Sequence, residues 1–200
     1  DHIIGYLGFT PFFSKDFSCH IYGKQDKLSM KEIFGHLHNY TFWPVEIPMY
    51  QAEFNLNTFP EDGLNISESV KISACKHGHP NGANSYRIEL GNKVIVYSTD
   101  LEHPDDQLNP NVIDIARDAD VLIIDAQFTD DQLPAHKGWG HSSWQQCVAV
   151  AKQANVKKLV LYHHSPGNND EAIQEIEKNA QAVFTNTIAA RQGMEIKLPI

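Results

Sequence analysis

"SYRIELGNKVIVYSTD", residues 85–100, is the stretch on which the fold turns. Two runs rich in β-branched and aromatic residues flank Gly91-Asn92, a pair suited to a tight two-residue turn, so the sequence predicts a β-hairpin. Its second run ends in Ser98-Thr99-Asp100, a polar cluster at a strand end. Downstream, strand and helix alternate. A short helix is predicted over 111–119, a buried strand over 120–128 and a helix over 142–155 capped by Ser142 or Ser143. A buried strand over 157–164, a helix over 169–184 and a final strand over 193–200 complete the order. Upstream, residues 70–77 alternate as a strand, and 28–39 carries helical apolar spacing with Ser29 as its cap. Such an order predicts one layered α/β domain over 1–200.

Polar residues recur where the strands end: "STDLEH", "DAQFTDD", "GWGHSS" and "YHHSPGNND". Strand-end loops are where chemistry usually sits, which favours an enzyme. Cys19, Cys75 and Cys147 are scattered and lack C-x-x-C spacing, which argues against a disulfide framework or a thiolate zinc site and for a reducing cytoplasm. No apolar run approaches the roughly 20 residues of a membrane span. Sixteen basic against 25 acidic residues give a net charge of -9, which argues against extended contact with nucleic acid and for a small-molecule substrate.

Eleven histidines are present, and several stand beside or near acids at strand ends. Asp1, His2, His79, Asp100 and His163 offer oxygen and imidazole donors that suit Zn²⁺, Mn²⁺ or Fe²⁺. Taken singly, each has a bland explanation as a solvated loop histidine or a turn-forming aspartate. His36 and His38 lie inside the predicted helix without a following D-H and read as surface residues.

Taken together, these residues resemble the metallo-β-lactamase-fold hydrolases. "DHIIG" (1–5) is similar to the tail of that family's H-x-H-x-D-H motif, with an apolar helix expected after it. "HPNGANSYRIE" (79–89) resembles the segment in which a histidine precedes a G-Y-R-I-E strand, with Ser85 in place of the glycine. "VIVYSTDLEH" (94–103) resembles the strand that delivers a bridging Asp, and "LVLYHHSP" (159–166) the strand that delivers the last His. The resemblance implies an αββα sandwich whose N-terminal strands and H-x-H pair would lie upstream. It implies two divalent ions, one held by the H-x-H pair and His79, the other by Asp1, His2 and His163, with Asp100 bridging. His163 is favoured over His164 as the ligand, leaving His164 to line the site. With the first ion keeping only His79 and Asp100, the 200-residue chain alone is expected to be inactive or nearly so. Family resemblance also suggests a homodimer.

A pair of ions roughly 3.5–4 Å apart clamps the attacking and leaving oxygens of a displacement and yields a hydroxide nucleophile near neutral pH. "IIDAQF" (123–128) and "GWGHSS" (138–143) resemble the H-E-A-T-F and G-H-S-T segments of the phosphodiesterase branch, which includes ribonuclease Z and the cyclic phosphodiesterases of phosphonate breakdown. By that resemblance Asp1 and Asp125 belong to the catalytic set with His141. Asp125 orients His141, which faces the scissile phosphate. Ile124 and Gln127 depart from the branch pattern, which has His and Thr there. No Gly/Pro-rich basic insertion of the kind ribonuclease Z uses on tRNA is found. A small phosphodiester, such as a cyclic nucleotide or cyclic phosphate, is the expected substrate, with His103, Trp139 and His164 as contacts. Arg87 reads better as a structural ion-pair partner. The alternatives are a lactonase or thioesterase of the same fold, or a non-catalytic regulatory domain.

Overall fold

The computed structural model describes residues 2–23, 28–104 and 107–198. The chain gathers into two compact units, Asp1–Glu61 and Asp62–Ile200, each described here by itself.

In the first unit, strand β1 (Ser18–Gly23) pairs in parallel with β2 (Glu53–Thr58), and helix α1 (Met30–Leu37) lies between them in sequence. Ser29 caps α1 with a full capping box: its hydroxyl accepts from the Glu32 amide, and the Glu32 carboxylate accepts from the Ser29 amide. The expected apolar helix after residue 5 is instead two 3-10 turns, Ile4–Gly8 and Thr10–Phe13. Gly5, Gly8 and Pro11 disfavour a continuous α-helix there. Aromatic rings fill the unit's core, with Phe12 and Phe34 packed edge-on to Phe54. His38 is half-buried and bonds the Tyr6 hydroxyl and the Val45 carbonyl, so it serves this core; His36 is exposed.

The second unit holds, among the described residues, a seven-stranded sheet in the order β3-β4-β5-β6-β7-β8-β9. Its strands are β3 (Leu64–Ser67), β4 (Val70–His77), β5 (Ala83–Leu90), β6 (Lys93–Ser98), β7 (Val121–Asp125), β8 (Leu159–Tyr162) and β9 (Thr187–Ala189). The predicted hairpin is β5–β6: Leu90 pairs with Lys93 around Gly91, whose φ of 58° fits the first position of a tight hairpin turn. From β6 onward the pairing is parallel, and α2 (Pro110–Ala116), α3 (Trp144–Gln153) and α4 (Asp170–Val183) make the crossovers. Successive crossovers of one hand place their helices on one face, and α2 packs on α3 and α3 on α4. Val96, Leu122, Ile124, Leu159 and Leu161 from the strands meet Val112, Val150 and Ala180 from the helices in a fully buried core.

One predicted element moves. The final strand, expected over 193–200, is instead β9 at 187–189, which pairs with β8. Residues 193–198 are irregular and mostly exposed. Among the described residues their apolar alternation is paired with no strand, whereas Thr187 and Ala189 are buried against β8. Among the described residues no helix is long and apolar enough to cross a membrane.

Candidate metal and phosphate centre

Parallel pairing brings several polar residues to one edge of the second unit's sheet. β4 runs antiparallel to β5, which runs antiparallel to β6, so β4, β6, β7 and β8 all end on the same side. His79 follows β4, Asp100 follows β6, Asp125 ends β7 and His163 follows β8. Asp100 and His163 adopt left-handed backbone, with φ of 56° and 57°. That conformation costs a non-glycine residue about 1 kcal/mol or more and marks a turn held by its surroundings.

The donor atoms converge. Asp100 Oδ1 lies 3.7 Å from His79 Nε2 and 3.8 Å from His163 Nε2. Both separations are too long for a hydrogen bond. Two bonds of about 2.1 Å meeting at a tetrahedral angle hold their donor atoms roughly 3.4 Å apart, so the spacing suits ligands around a cation such as Zn²⁺ or Mn²⁺. His79, Asp100 and His141 together offer ligand atoms within 4.8 Å of one another. Burial pushes the His79 pKa down while the Asp100 charge pulls it up; the net lowering favours the neutral imidazole a metal requires.

Beneath them, Asp125 is fully buried and its carboxylate accepts four N–H groups. Oδ2 takes the Asp100 amide at 3.0 Å and His141 Nδ1–H at 2.8 Å. Oδ1 takes the Ser142 amide at 3.1 Å and the Gln127 amide at 3.3 Å. With its lone pairs so engaged, Asp125 orients other groups rather than binding a cation. Burial works to lower the His141 pKa, but the Asp125 hydrogen bond and charge outweigh it and hold it above the ordinary value. The His141 ring stacks on His163 with centroids 4.9 Å apart. Ser143 is the α3 cap, with Gln146 completing its capping box, and Ser142 is buried, its hydroxyl donating to the Leu101 carbonyl. The helix start therefore fixes the approach of His141.

Three supporting residues escaped the sequence reading. His77 is buried; its Nε2–H is shared between the Thr99 and Asp100 carbonyls, and Nδ1 accepts from the Ser85 hydroxyl, itself bonded to Ser98. This relay sits under the left-handed Asp100, and Ser85, where the family motif has glycine, supplies one link. Gln127 lies 3.1 Å from His163 Nδ1. It is the amide nitrogen of Gln127 that faces Nδ1, a contact that orients the His163 ring. Glu102 accepts from the Gly138 and Gly140 amides, both at 2.7 Å. No spacing signal marks these three, because each acts on a partner distant in sequence.

The remaining expected residues fall as follows. Asp1 lies outside the described residues, and His2 is exposed in a turn of the first unit. His103 is buried and lines a cleft with His79, Glu102, Asn109 and Lys137. Its Nδ1 accepts from the Asn109 amide, and burial pushes its pKa down to about 4. Trp139 is exposed and packs edge-on to His136. His164 is half-buried, and burial lowers its pKa against the pull of the Ala190 backbone. Arg87 is structural: it pairs with Glu89 and donates to the Ile115 and Arg117 carbonyls at the end of α2.

A family profile described as a beta-lactamase superfamily domain matches residues 1–164. A ribonuclease Z of Methanosarcina acetivorans is 36% identical over 107 residues, which are 54% of this chain and 33% of that protein. The fold is similar to the metallo-beta-lactamase fold protein YhfI of Bacillus subtilis, with a TM-score of 0.69 at 23% identity over 96% of this chain and 70% of that one. It is also similar to human tRNase Z, short form, with a TM-score of 0.64 at 17% identity over 90% and 67%. These structural likenesses show the metallo-β-lactamase-type α/β fold. The chain spans about a third of the length of the curated relatives it matches. The relatives are ribonucleases by name, which overturns the inference from net charge that nucleic acid is not a partner. A charge summed over the whole chain does not report the local field where donors hold cations.

Proposed function

The chain belongs to the beta-lactamase superfamily, and on that footing we propose that it is a metal-dependent hydrolase of phosphodiester bonds. The observation that carries this reading is the Asp125–His141 pair, 2.8 Å apart, set beside the His79–Asp100–His163 donors. A carboxylate–imidazole pair next to a cation site suits phosphoryl chemistry, where charge on the phosphate oxygens and a proton for the leaving oxygen are both needed.

His79, Asp100 and His163 would hold divalent cations, with Asp100 central between the two imidazoles; the ligand roles of Asp1 and His2 come from the sequence motif. Bound there, such ions supply positive charge to the phosphate and a water acidic enough to attack it. The chain's own residues do the rest. Asp125 fixes the His141 ring through Nδ1, so Nε2 is the atom that hydrogen-bonds the phosphoryl group or passes its proton to the leaving oxygen. The Nδ1–H bond to Asp125 favours the protonated ring, in keeping with a pKa held above its ordinary value. In the neighbouring cleft His103 and Lys137 would supply polar and cationic contacts for the rest of the substrate, and the sequence reading adds Trp139 and His164 as contacts. The reading covers small phosphodiesters, cyclic nucleotides or cyclic phosphates among them, and RNA ends as the relatives' names suggest. The scattered cysteines, without C-x-x-C spacing, support a reducing compartment, the cytoplasm.

The test is turnover by the chain extended upstream through the H-x-H pair and loaded with Mn²⁺ or Zn²⁺, on bis-p-nitrophenyl phosphate, a cyclic nucleotide panel, a 3′-extended RNA and a lactone panel. Phosphodiester hydrolysis that His141→Ala lowers about 100-fold or more is expected. Hydrolysis of the lactones alone would overturn the proposal.

A further inference from the structure

The loop that delivers His141 has little of its own to hold its shape. Gly138 and Gly140 take φ of 83° and 89°, left-handed values that glycine adopts without steric cost but that it prefers over others only weakly. A β-carbon on Gly140 would collide with the His79 ring, so the loop backbone runs directly against that imidazole. The Trp139 amide donates to the His136 carbonyl, and what points the two glycine amides on either side of it is one carboxylate. Glu102 Oε1 accepts from Gly138 N–H and Oε2 from Gly140 N–H, each at 2.7 Å. Charge-assisted bonds of this length are about twice as strong as neutral ones.

The same residue is tied to the rest of the centre by its backbone. Glu102 N–H donates to the Gly78 carbonyl at 2.8 Å, and Glu102 and Gly78 form an isolated antiparallel bridge. Gly78 lacks a side chain where one would strike the Glu102 carbonyl. Gly78 precedes His79, Glu102 lies two residues after Asp100, and Gly140 precedes His141. One residue therefore fastens the three segments that carry an imidazole, a carboxylate and a second imidazole. Both of its oxygens are engaged by amides, so Glu102 is suited to hold loops rather than to bind a cation.

We propose that Glu102 is a positioning residue that clamps residues 138–140 and thereby sets the His141 ring, and the loop face packed on His79, for the reaction. The clamp itself is a statement about the loop; its consequence for turnover rests on the phosphodiesterase reading above.

The test uses the full chain with Glu102→Gln, which keeps one acceptor oxygen, and Glu102→Ala, which keeps none. Amide hydrogen exchange at 138–141 is measured on metal-free protein, together with the downfield proton resonance of His141 Nδ1–H on Asp125. Exchange is expected to quicken about ten-fold in Glu102→Gln and further in Glu102→Ala, with the resonance weakened in the same order and the global unfolding midpoint little changed. On any phosphodiester the wild type turns over, kcat is expected to fall about ten-fold or more with a smaller change in KM. Unchanged exchange and an unchanged resonance in Glu102→Ala would overturn the clamp. Loosened exchange with wild-type kcat would overturn its role in setting His141. If Glu102→Ala does not fold, Glu102→Gln decides the same questions. A wild type extended upstream through the H-x-H pair and still without phosphodiester turnover would defeat the functional reading, while exchange and resonance still decide the clamp.

Discussion

Asp125 shows how much one buried side chain can decide. Its four N–H partners come from Asp100, Gln127, His141 and Ser142, so it links the ends of β6 and β7 to the start of α3. Asp125→Asn turns an acceptor into a donor facing donors. It is expected to lower stability by about 2–3 kcal/mol in urea unfolding and turnover about 100-fold or more, since the His141 ring loses its anchor. His103 makes a second prediction. Its folded pKa of about 4 results from burial first and the nearby His77 second, with Asp125 opposing them, whereas an unfolded histidine titrates near about 6.5. As pH falls the unfolded chain takes the proton first, so stability is lost between those values and is fully present above them. At pH 5 that loss is about 2 kcal/mol relative to pH 7, and His103→Gln, which can still accept from Asn109, is expected to remove most of it in paired unfolding curves. At this scale the motif made His79, Asp100, Asp125, His141 and His163 legible. His77, Gln127 and Glu102 were not, because their partners lie 8 to 38 residues away.

Most elements were written locally. β4, the β5–β6 hairpin, α3 and α4 follow from alternation, turn residues and caps, and they appear within a few residues of expectation. Ser143→Ala removes the α3 cap and is expected to cost about 1 kcal/mol in thermal unfolding, with some loss of turnover because His141 stands just before it. The loop before α3 is more exacting. Gly140→Ala places a β-carbon into the His79 ring at a backbone angle that disfavours any side chain. Its expected cost is about 1–2 kcal/mol, with turnover reduced about ten-fold or more. β9 and the first turns were misread for a shared reason. Alternation at 193–200 and apolar spacing near the N-terminus describe what a segment would do given a partner or an unbroken backbone. The sheet supplied its partner at 187–189, and glycines and a proline broke the helix.

For the whole molecule, the proposed chemistry would depend on cations that several loops hold at once. Chelation with EDTA is expected to abolish phosphodiester turnover, and Mn²⁺ or Zn²⁺ to restore it. The reloaded protein is expected to unfold with about 3 kcal/mol more stability at a metal concentration 100 times the Kd, as seen in melts with and without metal. The sequence by itself determined the α/β order, the caps and hairpin turn, and the kinds of donor standing at each strand end, because these are set by neighbours a few residues apart. Only the tertiary structure decided which donors meet. Parallel pairing of β6, β7 and β8 brings residues 100, 125 and 163 to one edge, two of them in left-handed backbone that local preference opposes. Convergence of that kind is a property of strand register and packing between distant segments, and no local pattern encodes it.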